Sequence, residues 1–123
     1  AALVRVLAYH ILIKHKDSPN PVSKQDPTGE SILGRTKDSA REILNTIREM
    51  LTNPQYHNLE SFKQCARELS DCDVTAKEGG CLGFVLRGQM VPAFEHVAFE
   101  LRKGEVSEVV ETPVGLHLIF RAG

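Results

Sequence analysis

The sequence predicts an α+β fold: a small, mainly antiparallel sheet packed by helices. Three observations predict it. Apolar runs of strand length lie near both ends of the chain and again at Leu82 to Leu86. Between them, two stretches repeat apolar residues every three to four positions, as amphipathic helices do. Glycine and proline punctuate the boundaries. The resulting order is β, two helices, β, helix, β, β.

The first strand runs from Leu3 to Lys14. Val4, Val6, Ala8, His10 and Leu12 share one face, and Leu3, Arg5, Leu7, Tyr9, Ile11 and Ile13 the other. Both faces are largely apolar, which predicts a central strand covered on both sides. His10 is then poorly solvated, and a neutral, hydrogen-bonded ring is the common outcome for such a residue.

Lys16 to Leu33 reads as a loop, with Pro19, Pro21, Pro27 and Gly29 and no periodicity. A loop of this length in a small domain is usually functional or mobile. Its composition alone, with Lys14, Lys16, Lys24, Arg35 and Lys37 among Asp17, Asp26 and Glu30, reads as a solvated segment with scattered charges.

Thr36 is placed to cap a helix whose apolar stripe is Ala40, Ile43, Leu44, Ile47 and Leu51, ended by Asn53-Pro54. Asn58 caps a second, with Phe62, Cys65, Ala66 and Leu69 on its apolar face. Cys65 therefore reads as core rather than as a reactive thiol. Ser70 to Glu78 is an irregular connection carrying Cys72, and Gly79-Gly80 marks a turn into the strand Leu82 to Leu86. Arg87-Gly88-Gln89 breaks that strand. Pro92 occupies the first position of a helix, where its missing N–H costs nothing, and Phe94, Val97, Ala98 and Leu101 face the core. Gly104 is placed to stop it in a left-handed cap. Val106 to Val110 is a short strand, Thr112 to Gly115 a turn, and Leu116 to Arg121 the closing strand.

With 123 residues, 41% hydrophobic and 25% charged, the chain suits one compact domain over residues 1–123. A formal net charge of -1 argues against a general nucleic-acid binder. No apolar run approaches membrane-spanning length, and the start lacks the plan of a signal peptide. Three cysteines without a Cys-x-x-Cys suit reduced thiols in the cytoplasm or nucleus.

On their own, Met90 and Phe94 read as core residues beside a chain reversal. Two histidines and a cysteine suggest a thiol hydrolase, but no oxyanion motif accompanies them. A metal site from Cys65, Cys72, Cys81 and a histidine lacks ligand-pair spacing.

Taken together, the motifs resemble the parvulin family of peptidyl-prolyl cis/trans isomerases. They are Tyr9-His10-Ile11-Leu12, Ser70-Asp71-Cys72, Leu82-Gly83 followed by Arg87-Gly88-Gln89-Met90, Phe94-Glu95 with Ala98-Phe99-Glu100-Leu101, Gly104-Glu105-Val106-Ser107 and Gly115-Leu116-His117. The resemblance runs from about Val4 to Arg121. Ser70-Asp71-Cys72 and the long loop look most like the Pin-type subgroup, which acts on phosphoSer/Thr-Pro bonds. Some members of that subgroup carry a WW domain; none lies within these residues. The resemblance implies a parvulin-like fold within the FKBP-like superfold, with a four-stranded mainly antiparallel sheet and about four helices. It implies a catalytic set of His10, Cys72, Thr112 and His117, and a proline pocket of Leu82, Met90 and Phe94. It also implies action without a cofactor or metal on proline-containing, phosphorylated Ser/Thr-Pro segments, by a monomer.

The chain departs from the subgroup's pattern in places. Pro19-Asn20 stands where an Arg-Arg pair usually grips the phosphate, leaving Lys14, Lys16 or Lys24 for that role. A lysine offers phosphate a point charge, where arginine offers a fork. One extra residue lies between Cys72 and Leu82. Val85 replaces a common aromatic, Val114 a frequent serine, and Cys81 a frequently acidic residue. Two further readings stay open: a module that binds proline segments with little catalysis, and a chaperone-like domain indifferent to proline.

Overall fold

A computed structural model describes residues 4–123. Leu3, the expected start of the first strand, lies outside the described residues. The strands are β1 (Arg5–Ile13), β2 (Cys81–Leu86), β3 (Val110–Thr112) and β4 (Gly115–Arg121). The helices are α1 (Glu30–Leu33), α2 (Lys37–Thr52), α3 (Leu59–Leu69), α4 (Asp73–Ala76) and α5 (Pro92–Glu100). All strand pairs are antiparallel, in the order β2-β1-β4-β3. The first and last strands are thus the two central ones.

Alternation along β1 divides the core in two. Ile11 and Ile13 pack with α2, α3 and the Leu116, Leu118, Phe120 side of β4. Val6 and Ala8 pack with Val85, Ile119 and the Phe94 and Ala98 face of α5. The long helices begin at the expected caps, where Thr36 accepts from Ser39 N and Asn58 from Ser61 N. Of their stripes, Ile43 and Leu69 are exposed rather than buried.

Several elements differ from expectation. There are five helices among the described residues, because the two segments read as irregular each contain one turn. Residues 16–33 end in α1, which buries Ile32 completely and is tied down by Ile32 N donating to Asp26 Oδ2 at 2.8 Å. Residues 70–78 contain α4. Gly104 is not the cap of α5: the helix stops at buried Leu101, and Gly104 lies in the next turn with φ 85°. The strand expected at Val106 to Val110 pairs only at its ends. Val106 bridges Phe120, but Ser107 Oγ takes Ile119 N at 2.9 Å, and regular pairing begins at Val110 opposite His117.

A bulge in β2 matters for the site. Ala8 pairs with Gly83 and Tyr9 with Cys81, so Leu82 is the extra residue on its strand. Gly83 turns the chain there at φ 74°. Bulges re-aim side chains, and Leu82 lines the cavity described next.

Candidate active site

His10 pairs in register with Ile119 and His117 with Leu12, so the two histidines are diagonal neighbours on one sheet face. Their rings stack with centroids 5.2 Å apart, and His10 Nδ1 lies 3.0 Å from His117 Nδ1. Phe94 stands edge-on to both rings, at 5.9 and 5.4 Å. Both histidines are buried. Desolvation holds His10 at about 4, well below the usual imidazole value; desolvation, and then the charge on His10, hold His117 at about 3. Both rings are therefore neutral at neutral pH.

A threonine closes each end of the row. Thr112 Oγ1 is 2.7 Å from His117 Nε2, and Thr75 Oγ1 is 3.0 Å from His10 Nε2. These partners fix the protons. Among the described residues Thr75 Oγ1 has His10 as its one hydrogen-bond partner, so donating to Nε2 is the arrangement that leaves its hydroxyl proton paired. His10 Nδ1–H then donates to His117 Nδ1, and His117 Nε2–H donates to Thr112 Oγ1. The Thr112 hydroxyl in turn reaches Gly115 O at 3.5 Å. Sequence reasoning missed Thr75. It sits on the one-turn α4, in a polar stretch without periodicity, and only its spacing after Ser70-Asp71-Cys72 ties it to the site.

The segments on either side of α4 are held along the free edge of β1. His10 N donates to Gly80 O, Leu12 N to Ser70 Oγ and Lys14 N to Asp71 Oδ2, at 2.9, 3.0 and 2.9 Å. Every second amide of the edge is thus satisfied where β2 no longer reaches. Asp71 is buried and also accepts from Ser23 Oγ at 2.7 Å and Arg35 Nη1 at 3.3 Å. It thereby ties the 16–34 loop to the sheet and holds Cys72 in place.

Two adjoining cavities open on this row, of about 510 Å³ and about 240 Å³. His10, Cys72, Thr75, Leu82 and Lys14 line the larger, Phe94 and Thr112 the smaller, and Met90, Val114 and His117 both. The structure thus brings His10, Cys72, Thr112 and His117 together; of the residues expected to form a proline pocket, Met90 lines both cavities, Leu82 the larger and Phe94 the smaller. Of the three lysines, Lys14 alone lines a cavity, its Nζ donating to Val22 O at 2.7 Å. Lys16 and Lys24 are exposed and line neither cavity. Asn20 reaches the larger one; Pro19 does not.

All three cysteines are free thiols, and burial raises the Cys65 thiol above its usual value, as suits a core residue. Among the described residues no group of three His, Cys, Asp or Glu is placed to hold a metal ion. No described helix is long and apolar enough to cross a membrane.

Residues 10–122 match the Rotamase family, described as the PPIC-type PPIase domain. The chain belongs to this peptidyl-prolyl isomerase family. It is 43% identical over 120 residues to peptidyl-prolyl cis-trans isomerase ESS1 of Saccharomyces cerevisiae, covering 98% of this chain and 66% of that protein. It is 41% identical to the isomerase Pin1 of Arabidopsis thaliana, covering 95% of this chain and 94% of the relative. Among solved structures, ESS1 of Candida albicans superposes with a TM-score of 0.85 at 38% identity, over 97% of this chain and 63% of that one. The solution structure of TbPIN1 superposes at 0.82 and 34% identity, over 97% of each chain. The chain is an isomerase of the Pin1 and ESS1 type, and its antiparallel sheet of four strands is the parvulin-like fold.

Proposed function

We propose that the chain accelerates cis/trans exchange of Ser/Thr-Pro bonds, without covalent chemistry, at the cavity pair beneath the histidine row. An X–Pro bond prefers trans by only about 0.5–1 kcal/mol but exchanges over tens to hundreds of seconds, because the amide is partly double-bonded. A catalyst must bind the twisted amide better than the planar one. No substrate bond breaks, so the work falls to shape and hydrogen bonding.

The proline ring sits against Met90, whose flexible thioether adapts to it, between Leu82 and Phe94. The ring's preceding carbonyl then lies toward Cys72 and the row. A twisted amide loses resonance, and its nitrogen gains a lone pair able to accept a hydrogen bond, as its carbonyl becomes more ketone-like. A thiol at the mouth and fixed, neutral imidazoles behind it favour that state while excluding water. Neutral rings also spare the site a buried charge that planar and twisted amides would both meet.

The observation that carries this reading is the closed row Thr75–His10–His117–Thr112, which backs onto an apolar cup with Cys72 at its edge. Proline segments are the partners it implies, and free thiols fit the cytoplasm or nucleus.

Exchange spectroscopy on a Thr-Pro peptide tests it. Added enzyme is expected to broaden and exchange the cis and trans signals. Cys72→Ala and Met90→Ala should each lower the exchange rate at least about tenfold with the fold intact by circular dichroism. Binding without accelerated exchange would leave a proline-binding module instead.

A further inference from the structure

We infer that the end of the larger cavity around Lys14 selects an uncharged residue before the proline, so that a phosphate on a Ser or Thr there weakens turnover. The inference rests on the isomerase reading above, and it reverses the phosphate preference expected from the sequence.

The charges at that end do not suit a dianion. Its one cation is Lys14, with two carboxylates, Asp71 and Asp73, lining the same cavity. Lys14 is buried, and one of its three N–H donors is already given to Val22 O. Arg35, the nearby guanidinium, does not line the cavity: its Nη1 is engaged by Asp71 and by Lys14 O at 2.8 Å. Asp73 accepts a single backbone bond, from Lys24 N at 2.8 Å, and forms no ion pair among the described residues.

Formally the lining sums to -1, from one lysine against two aspartates, and to zero if Arg35 is counted behind Asp71. A phosphate adds about two further negative charges at neutral pH. It would gain one ammonium and meet one uncompensated carboxylate. Much of the remaining rim is apolar, with Val74 77% exposed and Val114 45% exposed at the mouth, and Asn20 is the one neutral amide side chain there, so an anion recovers little of the water it loses. Lys16 and Lys24 are exposed and line neither cavity, so solvent screens their charge.

An uncharged side chain meets none of these penalties. A methyl or methylene packs on Val74 and Val114, and a hydroxyl finds the Asn20 amide or a remaining Lys14 donor. The subsite therefore fits Ala, Ser or Thr before proline.

The test compares exchange rates on four matched peptides: Thr-Pro, phosphoThr-Pro, Glu-Pro and Ala-Pro. Thr-Pro and Ala-Pro are expected within about threefold of each other, with phosphoThr-Pro about tenfold slower and Glu-Pro between. Asp73→Asn keeps an oxygen for Lys24 N and should raise the ratio of phosphoThr-Pro to Thr-Pro by about fivefold. A phosphoThr-Pro rate equal to or above that of Thr-Pro would overturn the inference. An unchanged ratio in Asp73→Asn would overturn the assignment to Asp73. Acceleration of none of the four would instead overturn the isomerase reading, and this inference with it.

Discussion

Thr75 and Thr112 terminate one hydrogen-bonded row from opposite sides, the first donating to His10 and the second accepting from His117. The direction of the row follows from their unequal surroundings. Thr112 has Gly115 O as a further acceptor for its own proton, and among the described residues Thr75 has none beyond His10.

The first prediction concerns that direction. Nitrogen NMR of the two rings is expected to find His10 protonated on Nδ1 and His117 on Nε2. Thr75→Val leaves a buried ring nitrogen unpaired and should cost about 1–3 kcal/mol of stability. It should also mix the tautomers of both histidines, which a purely packing role for Thr75 would not do. Thr75→Ser should restore a single tautomer. Finding the opposite tautomers in the unmodified protein would refute the assignment.

A second prediction concerns acid. Both histidines bind protons less readily folded than unfolded, where the usual value is about 6.5. The unfolded chain therefore takes up more protons between about pH 6.5 and the folded values of about 4 and about 3. Their contribution to stability is complete above pH 6.5 and is lost as pH falls through that window. The urea midpoint should drop accordingly, and the ring Cε1–H signals of His10 and His117 should stay in their neutral positions down to about pH 5. Titration of either ring with a midpoint near 6.5 would contradict this.

The fold was legible in the sequence where one local rule acted alone. The Thr36 and Asn58 caps, the proline at the start of α5 and the two-sided pattern of β1 each follow from spacing and side-chain chemistry. The histidine pair was legible through the family resemblance, which implied one catalytic set holding both His10 and His117. What sequence could not supply was register and tertiary partners. Whether Val106 or Val110 opens β3 depends on Ser107 replacing a ladder bond, which no periodicity encodes. Likewise, Lys14 and Lys16 are equally basic in sequence, and only the path of the loop separates the one at the cavity from the one in solvent.

A third prediction tests the anchor of the 16–34 loop. Asp71 is 3% exposed and joins Lys14 N, Ser23 and Arg35. Asp71→Ala leaves the Arg35 guanidinium without its carboxylate and the buried Lys14 amide without its acceptor, at a cost on the order of 3 kcal/mol. Hydrogen exchange should speed up across residues 16–34 and at Lys14, while the amides of α2 remain protected. Asp71→Asn should be milder. Unchanged loop protection in Asp71→Ala would show that other contacts hold the loop.

A fourth prediction contrasts two glycines with similar backbone angles. Gly80 has φ 86°, and a Cβ there would lie 2.3 Å from His10 O. Gly83 has φ 74° but open space around it. Gly83→Ala should cost only the left-handed conformation, about 1–2 kcal/mol. Gly80→Ala should cost clearly more, because the strand carrying His10 must move. Thermal or urea midpoints order the two; equal losses would mean that β1 yields freely at this point.

The sheet order β2-β1-β4-β3 also sets when the enzyme can exist. Among the described strands, β1 cannot take its central place until β4, the last of them to be made, has left the ribosome. His10 must wait for a partner 107 positions later. A nascent chain that stops short of β4 therefore carries Cys72, Leu82 and Met90 without the row behind them. Such long-range closure is slow, and it makes completion of the histidine row a late event in the synthesis of these residues.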